Sequence, residues 1–207
     1  MLSEGFVTAS HKIGLDAVIG VNGNHPFLFR PWDMETTRNE YPYQAIESWV
    51  DRDVKPSVVV IAQSGYAMGN TDGSSWSVQF IPILKRLSEL GIPAVVAEAA
   101  VGANIEPRSC SPLQDLVGKC PADIARTTSI LDENRSGRTV EESKAVRAVN
   151  NAVLMDTLPV LCPATDCPMR RNGEWWWRDS AHISITASHV LAPLIAKKML
   201  EAQQLTK

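Results

Sequence analysis

Apolar residues alternate along the chain between short continuous runs and stripes of helical period. Ser57-Val58-Val59-Val60-Ile61-Ala62 is an unbroken β-branched run, the pattern of a strand covered on both faces in a parallel sheet. Trp76, Phe80, Ile83, Leu84, Leu87 and Leu90 follow at helical spacing and predict an amphipathic helix stopped by Gly91. Pro93-Ala94-Val95-Val96-Ala97 reads as the next strand, Ala17–Val21 as an earlier one closed by Asn22-Gly23-Asn24, and Leu158-Pro159-Val160-Leu161 as a last one. Residues 2–15 can form a helix weakened by Gly5 and Gly14, and Gln44 to Asp51 a short one. Thr139-x-x-Glu142 is a capping box predicting a helix to about Met155, with Val146, Val149 and Val153 inward. Ser184 or Thr186 caps a terminal helix whose Val190, Leu191, Leu194, Ile195 and Leu200 face the core, with a kink expected at Pro193. Strands alternate with helices throughout, which predicts a three-layer α/β/α sandwich with a mostly parallel sheet.

At 207 residues the chain is most simply one domain, residues 1–207, with enough length to bury a real core. A formal net charge of −3, without a Lys/Arg-rich tract, gives no electrostatic case for nucleic acid. No apolar run reaches the length of a membrane span, and Met1-Leu2-Ser3-Glu4-Gly5 is not the opening of a signal peptide. The four cysteines fall in two local pairs. Nine residues separate Cys110 from Cys120 and four separate Cys162 from Cys167, spacings that suit two loop disulfides and an oxidising compartment. Four free thiols are the alternative; a zinc site fits less well, since neither pair has C-x₂-C spacing. No metal or other cofactor is implied.

The chemistry concentrates in Arg178-Asp179-Ser180-Ala181-His182-Ile183-Ser184. An Asp three residues before a His, at the mouth of a helix, can supply two members of a nucleophilic triad. The imidazole accepts the proton of a hydroxyl nucleophile, and the carboxylate fixes its tautomer and stabilises the imidazolium. An isolated D-x-x-H is more often an exposed Asp beside a capping or core His. Here the preceding C-x₄-C loop and the following helix favour the catalytic reading. In open α/β sheets ligands bind outside the carboxyl ends of the strands, which is where a loop following the last strand is expected. Trp175-Trp176-Trp177 directly precedes this block; alternation predicts one or two rings buried and at least one exposed, with Trp177 a candidate platform for a sugar ring. His25 and His189 read as ordinary loop and helix residues.

This final block, D-x-x-H-[IL]-S behind a Cys-flanked loop, resembles the SGNH (GDSL-like) esterase and acyltransferase superfamily. It is most similar to the C-terminal SGNH domain of bacterial acyltransferase-3 membrane proteins. The order of strands, helices and cysteine loop over most of residues 17–200 agrees. The resemblance implies a flavodoxin-like fold and acyl transfer, most often O-acetyl, onto a cell-envelope glycan hydroxyl, with carbohydrate esterase or catalytically dead glycan-binding domain as alternatives. It implies an acyl donor and a glycan acceptor as partners, a periplasmic location and a membrane acyltransferase-3 domain alongside. His182 would be the base and Asp179 its orienter. The family's first block, a strand ending in G-D-S-H, has no counterpart here. The chain therefore reads as beginning after the nucleophile turn, lacking the first strand, and the 207 residues alone are expected to show little or no acyl transfer. Ser10 and Ser64 are weak substitutes for the nucleophile. Asn70 and Asn24 are candidate oxyanion donors, although turn chemistry explains both.

Overall fold

A computed structural model of the chain describes residues 3–19, 41–62, 76–98, 110–120, 140–163, 169–179 and 182–206. Helix α1 is Ser3–Lys12, α2 Tyr41–Asp51, β1 Val59–Ala62, α3 Trp76–Glu89, β2 Ala94–Ala97 and α4 Pro112–Leu116. Helix α5 covers residues 140–147. Strand β3 (Ala152–Met155), helix α6 (Leu158–Leu161), strands β4 (Arg170–Arg171) and β5 (Glu174–Trp175), and helix α7 (Ile185–Gln204) complete the order. The chain divides into two compact units. One gathers Gly20–Ala99, Arg138–Met155 and Lys197–Lys207; the other gathers Met1–Ile19, Ala100–Gly137 and Asp156–Ala196.

The first of these units holds a parallel sheet in the order β1-β2-β3. The register Val59↔Ala94↔Ala152 and Ile61↔Val96↔Leu154 puts one alternating set of side chains on a single face. That face packs on Ile46 of α2, on Phe80, Ile83, Leu84 and Leu87 of α3, and on Ala145 of α5. Val95 and Met155, of the opposite parity, are equally buried, so the sheet is covered on both sides, as parallel sheets are. Gly91 ends α3 as expected, with φ +62° and the Ile92 N–H returning to the Leu87 carbonyl at 2.9 Å. Arg86 of α3 forks onto Glu47 of α2 at 2.7 and 2.9 Å, which holds the Glu47 carboxyl below its ordinary pKa.

Three expected elements take a different form. Residues 17–19 have no regular secondary structure and belong to neither described sheet, with Val18 and Ile19 exposed; the rest of the anticipated Ala17–Val21 strand lies outside the described residues. The predicted helix to Met155 ends at residue 147, and Val153 belongs to β3. Asn151 makes the break: its side-chain N–H donates to the Ile92 carbonyl at 2.6 Å, pinning the entry of β3 beside that of β2. Leu158–Leu161 is a helical turn, not a strand. Pro159 sits in its first turn, where a missing N–H is harmless, and Asp156 accepts the Leu158 N–H at 2.9 Å.

Glu141, at the start of α5, supplies a pH-dependent tie. One carboxylate oxygen accepts the Ser77 N–H at 3.1 Å and its hydroxyl at 2.5 Å, in the first turn of α3, and the other pairs with Lys144. Burial alone would raise the Glu141 pKa, but the Lys144 and Ser77 hydrogen bonds outweigh it and bring it down to about 2. A folded pKa below the unfolded value of 4.5 means stabilisation that is full above that pH and lost as pH falls toward 2. Glu141→Gln is expected to lower stability by about 1–2 kcal/mol at neutral pH. In urea titrations the gap from wild type should close below roughly pH 4.

The other unit contains α1 and residues 185–196 of α7. Gly5 lies against α7: its N–H donates to the Ser188 hydroxyl at 2.7 Å, and an added Cβ would meet the Ser188 carbonyl oxygen at 2.3 Å. The glycine that weakens α1 as a helix is therefore what lets the two backbones approach. Gly5→Ala should lower stability by about 1–2 kcal/mol, because overpacking outweighs the gain in helix propensity. An unchanged melting temperature would show that the crossing is looser than its distances. Along α7, Leu191 and Ile195 are fully buried, whereas Val190 and Leu200 are exposed and Met199 takes the inward place expected of Leu200. Pro193 stands inside α7, which runs on through it to Gln204.

Candidate active site

The D-x-x-H block stands on a scaffold that begins at α6. The Arg171 guanidinium donates to the Val160 and Leu161 carbonyls at 3.3 and 2.5 Å, satisfying acceptors that the end of a helix leaves open. Burial pushes the Arg171 pKa down from its ordinary value. Strands β4 and β5 pair antiparallel across Asn172-Gly173, both with positive φ (+51° and +81°), the type I′ turn that Asn-Gly favours. Arg170 stacks over Trp175 with its guanidinium carbon 3.6 Å from the ring centroid, and Arg171 over Trp176 at 3.8 Å. Trp176 and Trp177 are buried and Trp175 is half-buried, so two rings are buried as expected but none is exposed, and the neighbours 176 and 177 do not alternate. The particular role given to Trp177 does not hold: its ring is fully enclosed and has no free face for a sugar.

Trp177 instead anchors the loop. It forms an antiparallel bridge with Ile183, itself buried, while the Ser184 N–H reaches the Trp176 carbonyl at 2.8 Å. The Arg178 N–H donates to the His182 carbonyl at 2.8 Å, closing a tight loop over residues 178–182. Ser184 then caps α7, its hydroxyl oxygen accepting the Ala187 N–H at 3.1 Å. The segments on either side are thus fixed in core, and Asp179 and His182 stand just beyond them.

Asp179 Oδ1 accepts two hydrogen bonds from His182, one from the backbone N–H at 2.9 Å and one from ring Nδ1 at 2.7 Å. A carboxylate can only accept, so Nδ1 carries a proton, and in the neutral ring Nε2 then presents its lone pair. The Arg178 Nε lies 3.3 Å from Asp179 Oδ2. The Asp179 side chain is 17% exposed and that of His182 is 48% exposed, so the carboxylate is largely enclosed while the imidazole stays accessible. A base and its orienter take this arrangement in a hydroxyl-nucleophile triad.

The remaining candidates are placed as follows. Ser10 is buried within α1 and its hydroxyl donates to the Val7 carbonyl at 2.9 Å, unlike the exposed turn a nucleophile occupies. Ser64, Asn24 and Asn70 lie outside the described residues. His189 Nδ1 lies 3.1 Å from the Thr8 hydroxyl, a link between α7 and α1. Cys110 and Cys120 form a disulfide with Cα atoms 5.3 Å apart, within the expected reach. Cys162 is also disulfide-bonded, and its expected partner Cys167 lies outside the described residues. Among the described residues no cluster of His, Cys, Asp or Glu is placed to hold a metal ion, and no helix is long and apolar enough to cross a membrane. Sequence reasoning missed the hairpin and the two arginines stacked on it. The Asn172-Gly173 pair beside the tryptophan run was the signal that could have found it.

The family model of the SGNH domain (fused to AT3 domains) matches residues 1–197. The chain belongs to this family. Among solved structures, this SGNH chain is similar to the periplasmic domain of a lipopolysaccharide acetyltransferase from Salmonella ser. Paratyphi A. The two share 20% sequence identity at a TM-score of 0.69, over 96% of this chain and 78% of that one. At this identity the likeness establishes a common fold. No curated protein matches the SGNH chain.

Proposed function

We propose that this SGNH domain takes part in acyl transfer, O-acetyl first among the candidates, to a hydroxyl of a cell-envelope glycan on the periplasmic side of a membrane acyltransferase-3 protein. The observation that carries the reading is the 2.7 Å bond from His182 Nδ1 to Asp179, in a family whose members are fused to AT3 domains. In the reaction a hydroxyl oxygen attacks the acyl carbonyl and its proton passes to Nε2 of His182. The leaving group departs with that proton. The glycan hydroxyl then attacks the acyl group, gives its proton to Nε2, and the first oxygen recovers one as it leaves. Asp179 holds the ring and offsets the charge of the imidazolium at both stages.

Water in place of the glycan would make the same machinery an esterase, so the test follows the acyl group. The natural full-length protein is supplied with a labelled acetyl donor and envelope glycan, and label is counted in glycan and in free acetate. The reading expects label in the glycan, lost in His182→Ala. Label in free acetate alone would make the protein an esterase. Glycan binding with no His182-dependent turnover, and no labelling by a fluorophosphonate probe, would make it a binding domain.

A further inference from the structure

Helix α4 is held by more local devices than its length explains. One turn of helix is marginal alone. Pro112 opens it, and Ser111 and Gln114 cap each other: the Ser111 N–H donates to the Gln114 side chain at 2.9 Å and the Gln114 N–H to the Ser111 hydroxyl at 3.2 Å. Gly118, with φ +65°, ends it, and the Lys119 N–H returns to the Gln114 carbonyl at 2.9 Å in a Schellman closure. The Cys110–Cys120 disulfide ties the two ends together. The side chains this frame presents are not buried. Leu113, Leu116 and Val117, at helical spacing, are 69%, 83% and 55% exposed. A rigid frame that displays three neighbouring aliphatic side chains is built for contact, since such residues normally sit singly on a surface.

We infer that the α4 tip docks on a phospholipid surface, inserting Leu113, Leu116 and Val117 to the level of the headgroups. Three aliphatic side chains form a contact far smaller than a stable protein interface needs, and the described residues 110–120 include no Trp, Tyr or Arg of the kind that anchors such interfaces. Aliphatic side chains beside a lysine do suit the boundary of a bilayer: Lys119, exposed at the end of the turn, is placed for lipid phosphate. Insertion of so few groups is weak and reversible by itself, and becomes effective when another part of the protein keeps the tip near the membrane. The inference rests on the proposed reading in this respect, because fusion to a membrane acyltransferase-3 domain supplies that proximity.

The test is partition of the 207-residue chain onto vesicles of phosphatidylethanolamine and phosphatidylglycerol, followed by co-sedimentation. The substitutions Leu113→Ser, Leu116→Ser and Val117→Ser are made together; being exposed, they should leave the circular dichroism spectrum and the disulfide intact. The triple variant should partition at least about tenfold less than the parent chain. In a chain carrying Leu116→Trp, the added tryptophan emission should shift to the blue on vesicles and be quenched by brominated lipid. Equal partition of parent and triple variant, or a tryptophan untouched by brominated lipid, would overturn the proposal. In the full-length protein, a cross-link from the tip to a protein domain that the triple variant loses while lipid binding persists would also overturn it and assign the tip to a protein partner. His182→Ala must leave partition unchanged, so the docking and the catalytic readings fail separately.

Discussion

His182→Ala is expected to lower the rate of acyl transfer by the full-length protein by about 10³–10⁴-fold, with little change in apparent affinity for the acceptor. The base acts as the hydroxyl proton moves, so its loss weakens the transition state and leaves ground-state contacts in place. Asp179→Asn should lower the rate by roughly 10²–10⁴-fold, because an amide side chain can offer its N–H to the ring and so favour the wrong tautomer. The two effects should not add: in the double variant the rate should lie near that of His182→Ala alone, since both residues serve one proton transfer. A His182→Ala protein within a few-fold of wild type would remove the pair from the reaction.

Trp177→Ala should produce the largest loss of stability of any single change in the loop scaffold. Its ring is fully buried, and the backbone bridge from Trp177 to Ile183 joins the two sides of the segment that carries Asp179 and His182. Truncating such a ring removes its transfer free energy and leaves a cavity, together about 3–5 kcal/mol, or a fall of roughly 6–20 °C in melting temperature for a chain of this size. Turnover should also fall at temperatures where the protein is still folded, because the bridge between residues 177 and 183 holds the two ends of the loop that carries Asp179 and His182. Trp177→Phe should retain most of the stability and a measurable rate. A Trp177→Ala protein of wild-type stability with lowered glycan affinity would restore Trp177 to the binding role its fully buried ring argues against.

Continuous β-branched runs were the most legible part of the sequence. The Val58–Ala62 and Pro93–Ala97 runs became β1 and β2 because burial on both faces leaves an unmistakable apolar signature. The Trp76–Leu90 stripe and its Gly91 stop held for the same reason, since period and terminator agreed. Residues 139–155 misled because an apolar helical period runs straight into an apolar strand, and Val153 satisfies both patterns. The Asn151 bond to the Ile92 carbonyl helps separate them, a tertiary contact that local sequence does not display. Leu158–Leu161 failed on length: four apolar residues suit a buried strand or a helical turn, and Pro159 with Asp156 decided for the turn. At the site, the Asp179–His182 spacing was readable because its chemistry is local to one loop. Trp177 was not, because adjacent tryptophans do not reveal which ring points inward.

The proposed catalysis depends on one bond and its consequence, a proton fixed on Nδ1 of His182 and, in the neutral ring, a lone pair on Nε2. Long-range nitrogen-15 correlation spectra of the His182 ring read this directly. Neutral His182 should appear as the Nδ1–H tautomer, with a pyrrole-type Nδ1 and a pyridine-type Nε2, and Asp179→Ala should shift the ring toward the mixture of tautomers seen for a free imidazole. An Nε2–H tautomer in the unmodified chain, or a spectrum that Asp179→Ala leaves unchanged, would contradict it.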